Sequence, residues 1–263
     1  MNPELRGMNI DMKRIESLTN QWVKETKKLH KKKYRDITNQ YILEGEHSVQ
    51  EALENNGLID CVITTDDGLL KYKSILSKVS EEQLVVVTDG ILKQLSELPT
   101  PQEIIAIMKK SEELTGFGEK ILVLDHVQDP GNVGTMIRTA DAAGFDQVIL
   151  SEGCVDVYQS KVQRALQGSQ FHVSIVTNVA LDKWIEQAKM RHILTVATAL
   201  DDTAMSFKEL KLTESIAIIM GNEGQGVSSD VLLHVDKKVY IPMKGQAESL
   251  NVAVAAGIVM FHF

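Results

Sequence analysis

Two runs of this chain, Ile121-Leu-Val-Leu124 and Ile216-Ala-Ile-Ile-Met220, are apolar at every position. A strand of this kind has no face to show to water. It belongs in a sheet covered on both sides, the environment of parallel strands joined by helices. Around these runs the pattern alternates. Residues 121–125, 147–150, 173–176, 193–199, 216–220 and 239–241 read as strands, and 132–143, 158–166 and 181–190 as helices. Pro130-Gly131 makes a turn, Gly144 ends the first of these helices, and an apolar small-residue helix closes the chain.

A smaller alternation precedes this one. Strands are expected at 41–45, 61–65, 84–88 and 103–108, and helices at 47–54, 67–79 and 89–95. Pro99-Thr-Pro101 cannot lie inside a helix. Upstream, Ile15, Leu18, Trp22 and Leu29 space as a sparse helix over 10–29, and residues 1–10 read as an untied, mobile end. Residues 111–120 are charged and glycine-containing, which suits a linker. The expected organisation is therefore a basic N-terminal arm over 1–35, a small α/β domain over 36–110, a linker over 111–120 and a larger α/β domain over 121–263.

Net charge is −8, which by itself argues against nucleic acid. Its distribution argues otherwise, because residues 1–35 hold ten basic side chains against four acidic ones. A phosphate-attracting patch at that end is one reading; a solvated, frayed amphipathic helix is the other. Residues 1–11 hold no apolar core of the length a secretory leader needs. The apolar run 252–263 is too short to span a bilayer. Cys61 and Cys154 give no disulfide or zinc framework. The expectation is a soluble, cytoplasmic protein with no membrane partner.

Several chemistries fail on spacing. Gly221-Asn-Glu-Gly-Gln-Gly226 is G-x-x-G-x-G, not the G-x-G-x-x-G of dinucleotide sites, and Gly-Lys-Ser/Thr is absent. The seven histidines form no i,i+4 pair, so no metal site is expected. There is no G-x-S-x-G elbow. Asp125 and His126 could suggest acid–base work, but with Asp129 and Pro130 so close, turn building suits the aspartates better. Three groups remain. Asn132 starts a helix with Arg138 two turns on, on roughly one face, unless Asn132 is only an N-cap and Arg138 a surface residue. Glu223 lies inside the glycine turn, where it does more than solubilise. Ser249 and Asn251 flank Leu250 at the mouth of the last helix, with Ser249 as its cap the plainer alternative. Two strand ends followed by polar loops suit a ligand pocket.

Taken in order, the motifs are D-P-x-N-x-G-x-x-x-R-T-A, then G-N-E-G-x-G, then I-P-M-x-G-x-x-E-S-L-N-V-A-V-A-A. This set resembles the SpoU (TrmH-like) branch of the SPOUT RNA methyltransferases over residues 121–263. The N-terminal part is similar to that family's L30e-like RNA-binding domain, with Tyr41-Ile-Leu-Glu-Gly45 before a helix and Thr100-Pro-Gln before a strand.

The resemblance implies an α/β fold, with a C-terminal SPOUT-type parallel sheet tied in a deep trefoil knot and a smaller L30e-like domain before it. It implies S-adenosylmethionine as cofactor, held by Thr198, Ala199, Gly221, Ile241, Met243 and Leu250. Asn132, Arg138, Glu223, Ser249 and Asn251 match the family's catalytic polar residues. Arg138 would act either as a base, as the family proposal has it, or as a phosphate clamp, since guanidinium is hard to deprotonate. It would come from this subunit or from a second one. Lys31, Lys32, Lys33 and Arg35 become candidate RNA contacts, and Phe261 and Phe263 candidate dimer contacts. The implied activity is methylation of a ribose 2′-hydroxyl in structured RNA by a homodimer, with 23S rRNA ahead of tRNA. The rival from another class is an RNA- or ribosome-binding protein without turnover.

Overall fold

The computed structural model describes residues 12–110, 116–211 and 213–263. The mobile end expected at residues 1–10, and residues 111–115 of the expected linker, lie outside them. The chain divides into two compact units. The first runs to residue 111 and takes in Tyr158–Ser160; the second holds the rest.

In the first unit, β1 (Lys13–Ile15) is followed by α1 (Gln21–Lys28), α2 (Lys32–Thr38), β2 (Gln40–Glu44) and α3 (Glu46–Glu54). Then come β3 (Ile59–Thr64), α4 (Asp66–Lys71), α5 (Lys73–Leu76), β4 (Leu84–Val87), α6 (Asp89–Leu95) and β5 (Ile104–Lys109). Sheet order is β1-β4-β3-β5-β2. β5 is antiparallel to both its neighbours, while β1 and β3 pair parallel with β4. The basic segment is thus no separate arm. Its β1 is an edge strand of the sheet, with Ile15 buried at 4% exposure beside Val23 of α1. A single helix over 10–29 does not form, because Asn20 caps α1 only from residue 21, its side chain accepting from Trp22 N at 2.8 Å.

The second unit has seven strands: β6 (Lys120–Leu124), β7 (Gln147–Ser151), β8 (Ser174–Val179), β9 (Leu194–Thr198), β10 (Met205–Ser206), β11 (Ile216–Met220) and β12 (Lys237–Tyr240). Its helices are α7 (Pro130–Ala142), α8 (Ser160–Leu166), α9 (Leu181–Met190), α10 (Ser229–His234) and α11 (Val252–Met260). The order is β10-β12-β9-β11-β6-β7-β8 and every pairing is parallel. Every residue of β7 and β11 is buried, as are four of the five in β6. That burial is the condition the apolar runs demanded.

The chain lays β6, β7 and β8 outward in one direction, then returns to place β9 on the far side, and β11 enters between β9 and β6. This reversal of direction is the switch point at which open parallel sheets bind ligands, beyond the carboxyl ends of their strands.

Candidate active site

The loops leaving β6 and β11 meet at the switch point. Asp125 N donates to Met220 O at 2.8 Å, extending the ladder one residue past the end of β6. The chain then turns back sharply, Asn222 and Gly226 exchanging both backbone hydrogen bonds at 2.9 Å. The Asn222 side chain fastens the turn. Its Oδ1 accepts from Gly224 N (2.9 Å) and Gln225 N (3.2 Å), and its Nδ2 donates to His126 O (2.9 Å). Gly221 is required here, because a Cβ would stand 2.1 Å from the Gly226 carbonyl carbon and from Val227 N.

The turn presents Glu223 to the loop after β6. Its Oε1 accepts from Asp129 N and from Asn132 Nδ2, both at 3.1 Å, and Oε2 from Gln128 N at 3.4 Å. Partial burial pushes this carboxyl up. The donors from Asn132 and the backbone N–H groups outweigh it and hold the group below its ordinary value. Asn132 Oδ1 in turn accepts from Asn251 Nδ2 at 3.0 Å. Asn251 Oδ1 accepts from Ala253 N (2.9 Å) and Val254 N (3.3 Å) at the start of α11. One hydrogen-bonded line therefore joins the glycine turn, α7 and α11.

Two of the alternatives left open by the sequence fail here, and one expectation changes. Asn132 does not cap α7; Asp129 does, its Oδ1 accepting from Asn132 N at 2.8 Å with Pro130 in the first helical turn. Ser249 does not cap α11; Asn251 does, and Ser249 is exposed. Arg138 does not share a face with Asn132. Six residues at about 100° each leave them ~120° apart around the helix. Arg138 is exposed, and its side chain makes no hydrogen bond or ion pair with any described residue.

Residues the spacing did not single out hold the site from beneath. Asp125 is 1% exposed. Its Oδ2 accepts from Ser228 N at 2.8 Å, and its Oδ1 lies 2.6 Å from His126 Nδ1. It ties the end of β6 to the chain leaving the glycine turn. The signal for Asn222 was its place in an Asn-containing glycine turn, where a side-chain amide satisfies the turn's own N–H groups.

On the other side of β11, β9 and β12 end together. Ala199 N donates to Val239 O at 3.0 Å, and Thr198 Oγ1 to Ile219 O at 3.4 Å. The loop after β12 carries Ile241, half-buried, and Met243 and Leu250, 37% and 36% exposed. Exposed apolar side chains beside strand-end backbone groups fit an adenine ring, which takes an apolar slot with main-chain donors and acceptors at its edge. Among the described residues no group of three or more His, Cys, Asp or Glu can hold a metal ion. No described helix is long and apolar enough to cross a membrane.

Of the basic residues singled out, Lys31, Lys32 and Lys33 are exposed, Lys32 pairing with Asp36 at 2.9 Å. Arg35 is a correction. It is 4% exposed, and its Nη1 donates to Leu29 O and His30 O, both at 2.8 Å. It satisfies carbonyls left over at the end of α1 and is not available to a phosphate.

Fold and site define a class: the chain belongs to the SpoU rRNA methylase family, whose model matches residues 119–261, while residues 20–106 match an MRM3-like substrate binding domain. Enzymes of this family use S-adenosylmethionine. The chain is 43% identical to the 23S rRNA (guanosine(2553)-2′-O)-methyltransferase RlmP of Bacillus subtilis (strain 168), over 95% of this chain and 99% of that one. Among solved structures it is similar to an AdoMet-bound rRNA methyltransferase from Sinorhizobium meliloti, with 29% identity, a TM-score of 0.84 and coverage of 95% and 96%. A TrmH-family RNA methyltransferase structure from Porphyromonas gingivalis matches with 29% identity, a TM-score of 0.82 and coverage of 93% and 97%.

Proposed function

We propose that this chain methylates a ribose 2′-hydroxyl of 23S rRNA, on a guanosine, in the cytoplasm. The observation that carries the reading is the line from Glu223 through Asn132 to Asn251, which unites all three motifs in a chain 43% identical to RlmP. S-adenosylmethionine, when bound, supplies an activated methyl group. Thr198, Ala199, Gly221, Ile241, Met243 and Leu250 hold it at the ends of β9, β11 and β12. A ribose hydroxyl is a weak nucleophile, so the protein's task is to align it and ease its proton away. Glu223, Asn132, Asn251 and the exposed Ser249 form the polar wall against which the ribose is set. Arg138, with no partner among the described residues, clamps a phosphate of the same strand.

A second copy completes the assembly. Val254, Ile258 and Phe261 are 52%, 39% and 67% exposed at i, i+4 and i+7 spacing along α11 and onward. Such an apolar stripe suits a symmetric dimer contact, and the Arg138 serving one site comes from either subunit. The trefoil knot is supported by the insertion of β11 between β9 and β6 before α11 returns to pack on α7. Lys31, Lys32 and Lys33 add sequence-independent attraction for RNA.

The test is a ribose-methylation map of total RNA from cells with and without the gene, paired with methyl transfer by the purified protein to a 23S rRNA transcript. Loss of one 23S mark, restored in vitro, is the expected result. Persistence of every mark would overturn the reading, and loss of a tRNA mark alone would reassign the substrate.

A further inference from the structure

The first unit contains a hollow of about 140 Å³ between α1, α2 and the sheet, which shares no residue with the candidate active site. Leu29, Cys61 and Ile107 line it with apolar surface. Burial pushes the Cys61 thiol up to about 12, so it stays neutral and acts as a small hydrophobe. Trp22 and Tyr34 contribute two aromatic rings. The polar side is Gln40 and Asp60, joined by a Gln40 Nε2 to Asp60 Oδ2 hydrogen bond of 2.9 Å. The Tyr34 hydroxyl makes no hydrogen bond with any described residue.

The surroundings select the occupant. The one cation in the lining, Lys28, is already paired with Glu25 at 2.8 Å, and Asp60 is paired with Lys109 at 3.3 Å, so a free phosphate or other anion finds no unpaired cation among the lining residues. Drug-sized ligands occupy roughly 300–1,000 Å³, so a whole nucleotide cofactor is too large. A single flat heterocycle suits the size, the rings and the hydrogen-bonding edge. Two lysines stand at the rim of the hollow, Lys28 being itself a lining residue paired with Glu25 at 2.8 Å. Lys13 Nζ is 5.1 Å from the Trp22 ring centroid and Lys28 Nζ 5.4 Å from that of Tyr34. Ammonium groups so placed meet the backbone phosphates on either side of an inserted base. Every lining residue but Ile107 falls within the residues matched as a substrate binding domain.

We propose that this hollow takes one unpaired base of the RNA substrate, stacked on Trp22 and Tyr34 with its edge toward Asp60. A carboxylate is an acceptor only, so the base must present N–H donors there, as guanine does with two adjacent ones. The proposal rests on the rRNA reading above. It adds a sequence-reading contact that the catalytic line of the second unit does not provide.

The test uses the full-length chain carrying Trp184→Phe, which leaves Trp22 as its one tryptophan, and a 23S rRNA fragment that it methylates. Abasic sites are introduced into the fragment one at a time. Binding of intact RNA quenches Trp22. One abasic position removes the quench and weakens binding roughly tenfold, the scale of one base–aromatic stack. Tyr34→Leu weakens intact RNA by the same factor and makes that abasic position silent, while S-adenosylmethionine binding by calorimetry is unchanged. Asp60→Asn, a change of a single atom type, relaxes the preference for guanine at that position and guards against a Tyr34 variant that fails to fold. RNA that is methylated normally but quenches nothing, with no response to Tyr34→Leu or Asp60→Asn, overturns the hollow and leaves the methyltransferase intact. If no rRNA fragment binds or is methylated, the rRNA reading itself has failed, and this proposal with it.

Discussion

The second unit's strands all run parallel, whereas the first unit's β5 runs against both its neighbours. In the parallel sheet every strand ends on the same edge, so the loops after β6, β9, β11 and β12 gather there, and with them Glu223, Asn132 and the turn at Gly221. In the mixed sheet the strand ends are shared between two edges, and among the described residues no line from a carboxylate through two amides forms at either, only single pairs such as Gln40 with Asp60. What the first unit offers instead is side-chain surface: exposed lysines on α2 and an aromatic hollow beneath α1. Parallel topology concentrates converging polar loops; mixed topology leaves a face for contact. Chemistry belongs to the former and recognition to the latter.

Three substitutions probe that contrast. The largest effect is expected from Arg138→Lys, which keeps the charge but loses the planar fork. Methyl transfer should fall by about 10²-fold, the scale on which misalignment acts, with cofactor affinity preserved. Near-normal turnover would remove Arg138 from the site. Next is Gly221→Ala. The added methyl meets backbone atoms of the same turn at 2.1 Å, and overpacking of this kind costs about 1–3 kcal/mol. Hydrogen exchange should accelerate in β6, β11 and the glycine turn and stay unchanged in β2, β3 and β5; equal acceleration in both sheets would mean that the units are one cooperative block.

The smallest effect concerns Glu223. Its carboxyl is held below the ordinary 4.5. Its contribution to stability is therefore complete above that value and is lost as pH falls through the lower, folded one. Melting followed between pH 6 and pH 3 should decline less steeply for Glu223→Gln than for the parent, by a modest margin because the group is largely solvated. Identical slopes would show that the line of hydrogen bonds carries no charge dependence.

Strands were legible wherever burial on both faces left an uninterrupted apolar run, as in Ile121–Leu124 and Ile216–Met220. Strand β1 was not, because only Ile15 of its three residues is buried and no period can show in so short a span. Sheet order was beyond pattern altogether: nothing in residues 216–220 says that they enter between β9 and β6. At the site, motif residues were visible as types, but their geometry was not. The same-face expectation for Asn132 and Arg138 ignored the helical increment, and the capping roles went to Asp129 and Asn251 because each stands one residue before its helix. Charge counting found Arg35 without seeing that two carbonyls bury it. Asp125 read as a turn former since a sequence does not reveal that its carboxylate reaches a residue 103 positions away.

The line through Asn251 and Asn132 has a sense of direction. The first N–H groups of α11 donate to Asn251, Asn251 donates to Asn132, and Asn132 donates to Glu223. Each amide is oriented by the next, and the ionised carboxylate, able only to accept, sets them all. A proton on Glu223 would supply a donor where the row terminates and permit both amides to rotate. The start of the last helix is thereby made to sense the charge on a loop more than twenty residues earlier in the chain, through two side chains that carry no charge themselves.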